Sequence, residues 1–465
     1  MKQIYFLILI VFVPYLIIAE LFNIYIPIQL SIIIIVSSLI YFVRQFKKGN
    51  IGIVSLLYFI VFTAPFLHLI PYMWIDIESQ GEIVWGLVSN PFQFNIEIMN
   101  LLGLIASCGM LGMILPTLIY RKKIEQITLF RFGKSMPLIL WFIWLVLGLY
   151  LSILSAPTDN LLSAAYTTVG SASRDLNVSS AWLLSYIILL YTLYDSLIEQ
   201  NLYFKKIKKI SVFLVITYII VVLQFFRGDR ESIPWILACI LLVYYWLPSL
   251  KKTKIKMPKV RIFIFSFSIF ALSFIVGYAR SRISDSVDLY DAASVLSNIL
   301  VENPELLKGT WTAVLLTPLS VAGEYILFNK PYLFGEDYFN LILSLPPGFV
   351  TDIFGYVRPW SLGKGPANEM IYGLGGTHAS VLPFRNFGLL GVFFISSIVF
   401  YFLMKVDRLV SKKPSMSSII LVATLVTIIP HWVWYGEKNL LNGVIMYLLF
   451  LLLYRISISF NNIFK

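Results

Sequence analysis

The feature that most constrains this chain is a series of twelve apolar stretches, each of 17 or more residues. They lie at 4–22, 24–43, 51–72, 97–120, 136–155, 181–198, 209–226, 232–248, 260–278, 386–404, 416–432 and 440–458. The hydrocarbon core of a bilayer is about 30 Å thick and is crossed by a helix of about 20 apolar residues. The stretches therefore predict twelve transmembrane helices. The first follows Lys2 without a small-residue cleavage site, so we expect it to be retained.

Composition excludes a soluble globular protein of this length. Hydrophobic residues make up 59% of the 465 residues and charged residues 13%, and the mean hydropathy is +0.84. A soluble chain carries about 25% charged residues. The two cysteines, Cys108 and Cys239, both lie in apolar stretches, so no disulfide framework is indicated. We expect an all-α, polytopic integral membrane protein whose solvent is the lipid bilayer.

Charge is divided unevenly between alternate loops. With the N-terminus inside, the inner segments hold 25 of the 36 basic residues and only four of the 24 acids. The positive-inside rule then predicts that both termini are cytoplasmic. The net charge of +12 faces the anionic cytoplasmic leaflet in this arrangement. A nucleic-acid partner is therefore not expected.

One large loop interrupts the series of spans on the outer face. Within this loop, residues 309–328 are apolar enough for a further span, but Pro318 and Glu324 argue against one. An extra crossing would also move the next basic loop to the outer face. We expect an amphipathic or re-entrant helix packed on the outer leaflet or on the bundle. The predicted layout is nine helices, a large loop with short amphipathic helices, and three helices, over 1–278, 279–385 and 386–465.

Two pairs of arginines break the positive-inside pattern on the outer face. Arg227 and Arg230 lie in FRGDRE between two spans, and Arg280 and Arg282 lie in GYARSR just after the ninth. Guanidinium groups offer forked donors that match phosphate oxygens, so the pairs predict a clamp for an anion. The alternatives are a salt-bridged turn for the first pair and snorkelling to lipid headgroups for the second.

The end of the large loop is rich in glycine and carries a histidine. His378 follows Gly373–Gly376 and precedes Arg385 and a helix. Histidine is the side chain best suited to proton transfer near neutral pH, so we expect His378 to be a general base. The alternative is a structural histidine, in which case Glu369 or Asp352 is the next candidate for the base.

The sequence gives little support for a metal site or a nucleotide-binding site. Asp285, Asp288 and Asp291 are spaced by three residues, but an oxygen-only metal site usually needs more ligands, so a solvated helix face is favoured. P-loop, GxSxG, HExxH and CxxC motifs are absent from the sequence. No cofactor is expected. Glu324, within an apolar segment, needs a partner, and an arginine is the expected one.

The layout and three motifs resemble the Wzy-type O-antigen polymerases, which are related to the O-antigen ligases. The motifs are FRGDRES, GYARSR and the segment THASVLPFRNFGLLGVFF. Members of the family commonly carry a glycine-rich stretch before an FG-x-x-G-V helix start, which here is Phe387–Val392. The resemblance implies a GT-C-like, metal-independent glycosyltransferase in the bacterial inner membrane with its active face in the periplasm.

The resemblance also implies a substrate and roles for the candidate residues. Oligosaccharide repeat units on undecaprenyl pyrophosphate would be joined into a polysaccharide, with a chain-length regulator as a further protein partner. His378 would act as the base. The diphosphate would be held by a set of outer arginines: Arg227, Arg230, Arg280 and Arg282, with Arg385 in second place. An O-antigen ligase and a lipid-linked oligosaccharide flippase remain the alternatives, although nearly charge-free spans disfavour a flippase.

Overall fold

The computed structural model describes residues 2–74, 95–120, 136–154, 181–202, 235–236, 238–240, 242, 312–343, 345, 353–355, 378–412 and 415–463. Every regular element within these ranges is helical. The elements are α1 (Lys2–Phe22), α2 (Ile28–Lys47), α3 (Ile53–Thr63) followed by a 3₁₀ helix (Ala64–Met73), α4 (Ile96–Ile119), α5 (Leu138–Leu154), α6 (Ala181–Leu202), α7 (Thr312–Phe328), α8 (Glu336–Leu343), α9 (Val381–Lys412), α10 (Met416–Tyr435) and α11 (Lys438–Ile463).

Most of the predicted spans coincide with observed helices. Seven segments are long and apolar enough to cross a membrane, and each matches a predicted span. Two further predicted spans, 136–155 and 181–198, coincide with α5 and α6. The spans predicted at 209–226 and 260–278, and most of 232–248, lie outside the described residues. The chain is thus an all-helical, multi-pass membrane protein in its described part, and the total of twelve spans stays a prediction.

Helix α4 forms the centre of the bundle. It is apolar around its whole circumference, as expected for a helix enclosed by others, and nearly all of it is buried. Gly112 on α4 lies against the backbone carbonyl of Phe393 on α9, and a Cβ atom there would overlap that oxygen. Small residues let transmembrane backbones approach closely in this way. Helix α9 therefore packs along α4 at backbone contact.

One end of the bundle, the basic end, is formed by the start of α3 and the ends of α2, α4 and α9. Asp407 on α9 caps α3 there, because its carboxylate accepts the N–H groups of Val54 and Ser55, both at 3.1 Å. The Arg408 guanidinium lies 3.7 Å from the ring centre of Tyr120 at the end of α4. Basic side chains at the ends of α2 and α9 are Arg44, Lys47 and Lys412. This grouping agrees with the predicted division of charge, and the side of the membrane on which it lies stays a prediction.

The start of α9 differs from the predicted start of the tenth span at residue 386. The helix begins at Val381 and is broken at Gly388, where φ is 65° and ψ is −154°. That backbone conformation is essentially restricted to glycine. Residues 381–387 thus form a short first segment and 389–412 a long second segment. The helix therefore begins about one turn before the predicted boundary between the large loop and the span, at 385/386.

The apolar segment of the large loop is helical and packs on the bundle. Helix α7 contacts α4, α9 and the 3₁₀ helix, and its side chains from Thr317 to Glu324 are buried. This matches the expectation of a helix packed on the bundle rather than one lying on the leaflet. Glu324 is paired, but its partner is the ammonium group of Lys330 at 3.0 Å and not the expected arginine.

Candidate functional site

The end opposite the basic end carries a set of polar groups that we term the polar cluster. It is built from three pieces of chain: α8 with the turn before it, the short first segment of α9, and the turn between α10 and α11. Hydrogen bonds join α8 to the first segment of α9, and the Ala379 N–H just before α9 donates to the Val433 carbonyl near the end of α10. Its members are Asp337, Tyr338, Arg385, Asn386 and Glu437.

Asn386 joins α8 to α9 with a fully used amide. Its Oδ1 accepts the N–H groups of Gly335, at 3.0 Å, and of Asp337, at 3.3 Å, and so caps α8 from another helix. Its Nδ2 donates to Asp337 Oδ2, at 3.1 Å, and to the Leu382 carbonyl, at 2.8 Å. Asn386 is completely buried. Such a satisfied buried network fixes the position of its members, so the Asp337 carboxylate is held rigidly.

Arg385 stands beside that carboxylate with its forked end uncommitted. Its Nε lies 3.6 Å from Asp337 Oδ2, which is an ion pair but longer than a hydrogen bond, and its side chain is 23% exposed. The two terminal amino groups have no hydrogen-bond partner in the described part of the chain. Since Asn386 already satisfies Asp337, the Arg385 fork can bind an added anion without leaving a buried carboxylate alone.

His378 is buried among the helices and has a structural explanation in Pro65. The N–H of residue 65 would bond the Val61 carbonyl in an α-helix and the Phe62 carbonyl in a 3₁₀ helix. Because a proline has no N–H, both carbonyls lose this donor. His378 Nε2 bonds the Phe62 carbonyl at 3.1 Å, and Trp434 Nε1 donates to the Val61 carbonyl at 3.0 Å. Two side chains thus replace the missing donor where α3 passes into the 3₁₀ helix, as required inside a membrane.

The other ring nitrogen of His378 is also occupied. Nδ1 accepts the Ser380 N–H, at 3.2 Å, and contacts the Ser380 hydroxyl, at 2.8 Å. This fixes the neutral tautomer that carries its proton on Nε2. Burial lowers the pKa of His378 to about 3, and its exposure is 0%. The general-base assignment of His378 stays a prediction, and it requires these hydrogen bonds to open.

The break in α9 is occupied by a carboxylate from the first helix. Glu20 on α1 accepts a hydrogen bond from the Leu389 N–H, the first free donor after Gly388. The Tyr332 side chain lies on the same glycine, and its hydroxyl is buried without a hydrogen-bond partner among the described residues. A negative charge is favoured at a helix N-terminus, so Glu20 stabilises the start of the long segment of α9.

Glu437 is the second carboxylate of the polar cluster. It lies in the turn at which α11 begins, with its carbonyl 3.1 Å from the Leu441 N–H, and it is partly exposed. The pKa of Glu437 is raised to about 8, and burial is the main cause. A hydrogen bond from its own backbone N–H lowers this pKa, and the charge of Asp337 raises it. Burial and then the charge of Glu437 raise the pKa of Tyr338.

The remaining candidates from the sequence are not placed. Four predicted diphosphate ligands, Arg227, Arg230, Arg280 and Arg282, lie outside the described residues. The same is true of the aspartates at 285, 288 and 291 and of Glu369 and Asp352. Within the described ranges, no group of three His, Cys, Asp or Glu side chains is arranged to hold a metal ion. Of the six predicted site residues, His378 and Arg385 are thus the two that the structure locates.

Sequence reasoning missed Glu20, Asp337, Asn386 and Glu437. Glu20 had a visible signal, because an acid near the end of an apolar stretch requires a partner. Glu437 had a weaker one, since it is an acid in a short outer turn. Asp337 and Asn386 had none, because their importance arises from the pairing of two segments about 50 residues apart.

Comparisons with known proteins add no assignment. No family model, no curated protein and no solved structure matches this chain. The functional proposal therefore rests on the residues, their arrangement and the motif resemblance.

Proposed function

We propose that this chain is a membrane glycosyltransferase that joins undecaprenyl-pyrophosphate-linked oligosaccharide repeat units into a surface polysaccharide of the O-antigen type. The observation that carries the proposal is the uncommitted fork of Arg385 beside the Gly388 break. Both residues belong to the segment RNFGLLGV that bears the family resemblance. The reaction would take place at the end opposite the basic end, on the periplasmic face of the inner membrane.

The chemistry of the substrate suits this end of a membrane protein. A lipid-linked donor keeps its diphosphate at the membrane–water interface, where charge develops as the glycosidic bond to the phosphate breaks. Guanidinium groups placed at the developing charge stabilise the transition state. Arg385 would supply one such group, and the sequence predicts four more from the two outer arginine pairs.

The occupied helix break supports arginines as the anion ligands. The N-terminus of a long helix segment ordinarily attracts phosphate. At Leu389 that position is already filled by the Glu20 carboxylate. A diphosphate would therefore be repelled from the break and attracted to Arg385, which lies on the short segment just before it.

The glycan phenotype of a deletion strain tests the proposal. Loss of a polymerase should leave a single repeat unit on the lipid A core, and the plasmid-borne gene should restore the long-chain ladder. Loss of a ligase should leave no repeat on the core. Loss of a flippase should also leave none, with lipid-linked units retained on the cytoplasmic side. A core without any repeat in the deletion strain would therefore contradict the proposal.

A further inference from the structure

We propose that the outer face of α8 binds the isoprenoid chain of the lipid donor, next to the diphosphate on Arg385. The inference rests on the proposed function, because it names the surface that would hold a second part of the same substrate. We term this surface the aromatic rim. Its members are Phe334, Phe339, Ile342 and Phe387.

The aromatic rim starts beside Arg385. The turn before α8 is paired with the first segment of α9 by two backbone hydrogen bonds. The Leu333 N–H donates to the Arg385 carbonyl at 3.0 Å, and the next N–H, of Phe334, donates to the Asn386 carbonyl at 3.0 Å. The Arg385 Nε lies 3.6 Å from Asp337 Oδ2 in the first turn of α8. An anion bound to the guanidinium group would therefore have the start of the rim as its neighbour.

Helix α8 has one face toward the bundle and one face away from it. Asp337 and Leu341 are buried, whereas Phe339 and Ile342 are exposed. Because these two exposed residues are three positions apart, they are neighbours on the helix surface. The charged residues of α8, Glu336 and Asp337, both lie in its first turn. The exposed face thus changes from charged to apolar along the helix, which is about 12 Å long for its eight residues.

The Phe387 ring connects Arg385 to the exposed row of α8. A Cβ atom added to Gly335 would lie 3.5 Å from this ring. The Tyr338 ring stacks on it, with ring centres 6.0 Å apart and planes inclined by 15°. Phe387 is itself exposed and follows Arg385 by two residues. Since Gly335 and Phe339 are four residues apart, Phe387 lies at the foot of the apolar row.

The backbone conformation of Phe334 is unusual for a side chain that only faces lipid. Its φ is 47°, in the left-handed region that bulky residues rarely adopt, and it is 81% exposed. Asn386 maintains this conformation, because its carbonyl accepts the Phe334 N–H and its Oδ1 accepts the Gly335 N–H. Strained backbone that a surrounding network holds in place is concentrated at ligand-binding positions.

Charge and polarity together indicate the occupant. A ligand that uses both Arg385 and the aromatic rim has an anionic group followed directly by a hydrocarbon chain. A polyprenyl diphosphate has this composition, and it is the donor lipid of the proposed reaction. A sugar fits the row poorly, because the side chains of Phe339 and Ile342 offer no hydrogen bond to its hydroxyl groups.

Equilibrium binding to the full chain in phosphatidylcholine nanodiscs tests the inference with two probes. Inorganic pyrophosphate offers the anionic group alone, and farnesyl pyrophosphate offers it with a short isoprenoid chain. Phe334→Ala and Phe339→Ala should each weaken the binding of farnesyl pyrophosphate by about tenfold, through lost apolar contact. Both variants should bind inorganic pyrophosphate like the wild type. Since both side chains are exposed in the free protein, their truncation should leave the fold intact.

A phenylalanine at the opposite end of the bundle supplies the matched control. Phe6 on α1 is 59% exposed, which is close to the 62% of Phe339. It lies at the basic end, where the preceding Tyr5 packs on Tyr41 of α2 with ring centres 4.7 Å apart. Phe6→Ala should bind both probes like the wild type. Arg385→Ala should weaken the binding of both probes, because both carry the diphosphate.

Three outcomes would overturn the inference. Unchanged binding of farnesyl pyrophosphate in both rim variants would mean that the rim does not contact the chain. An equal loss for the two probes would mean that the phenylalanines only support Arg385. Displacement of farnesyl pyrophosphate by phosphatidylglycerol added to the discs would assign the rim to ordinary phospholipid.

The binding assay needs no turnover, so its result is separate from that of the deletion strain. Rim-dependent binding of farnesyl pyrophosphate, together with a deletion strain whose core lacks any repeat, would support the rim and contradict the polymerase. A deletion strain with a single repeat on the core, together with unchanged binding in the rim variants, would support the polymerase and overturn the rim.

Discussion

A side chain at Gly388 should destabilise the protein through two separable effects. The observed φ of 65° and ψ of −154° would cost alanine about 1–3 kcal/mol. A Cβ atom would also overlap the Glu20 carboxylate and lie 2.8 Å from the Tyr332 hydroxyl. If Glu20 is displaced, its charge-assisted hydrogen bond to Leu389 is lost, at about 1.5–3 kcal/mol. The expected total for Gly388→Ala is therefore about 2.5–6 kcal/mol.

A double-mutant cycle in detergent separates the two effects. Unfolding is followed by intrinsic fluorescence during titration with a denaturing detergent, for wild type, Gly388→Ala, Glu20→Ala and the double variant. Both single variants lose the same hydrogen bond, so the double variant should be less destabilised than the sum by about 1.5–3 kcal/mol. Gly355→Ala is the control for a side chain at positive φ without a collision, because Gly355 has a φ of 60° and a Cβ atom added to it would meet no atom within 4 Å.

Two results would refute this reasoning. The first is an additive cycle, which would mean that Glu20 and Gly388 do not share an interaction. The second is a Gly388→Ala protein no less stable than Gly355→Ala, which would mean that the collision at the helix break does not occur.

Three further predictions concern the site and the topology. His378→Ala leaves the Phe62 carbonyl without its donor and should lower the unfolding temperature, by the equivalent of about 1–3 kcal/mol. Unchanged stability with lost elongation would instead support the predicted role of His378 as a general base. Arg385→Lys keeps the charge but not the fork, so inhibition by added pyrophosphate should weaken, and more so in Arg385→Ala; equal inhibition of all three proteins would exclude Arg385 as an anion ligand. Both Lys412 and Phe354 are exposed. A membrane-impermeant maleimide added to cells should label Phe354→Cys but not Lys412→Cys, and the opposite pattern would show that the predicted orientation in the membrane is wrong.

The helices were predictable because one local property, an apolar run of sufficient length, determines them. The stretch predicted at 97–120 is the helix Ile96–Ile119. The start of α9 was not predictable in this way. Its first turns carry Arg385 and Asn386, which lower the local hydropathy. The Asn386 amide is satisfied by the segment around Asp337 and by the Leu382 carbonyl rather than by water.

The candidate site was less predictable because burial depends on distant partners. His378 was chosen for its chemistry and its glycine-rich surroundings. In the structure, His378 bonds the Phe62 carbonyl that Pro65 leaves without a donor, and Phe62 lies 316 residues before His378 in the sequence. No local pattern reports that pairing. Arg385, by contrast, was chosen for its charge at the outer end of a span, which is a local feature that the sequence displays directly.

The donors that replace Pro65 have a consequence for how the protein is made. The partner of the Phe62 carbonyl, His378, is synthesised 316 residues later, and the partner of the Val61 carbonyl, Trp434, is synthesised 373 residues later. At about 5–20 residues per second, ribosomes need on the order of 15–75 s to synthesise that length. During this interval the middle of the third span carries unsatisfied carbonyls that hydrocarbon cannot solvate. The nascent α3 must therefore remain near water, the insertion machinery or other polar helices until α10 is inserted. Stable insertion of α3 in the bilayer thus depends on segments from the last third of the chain.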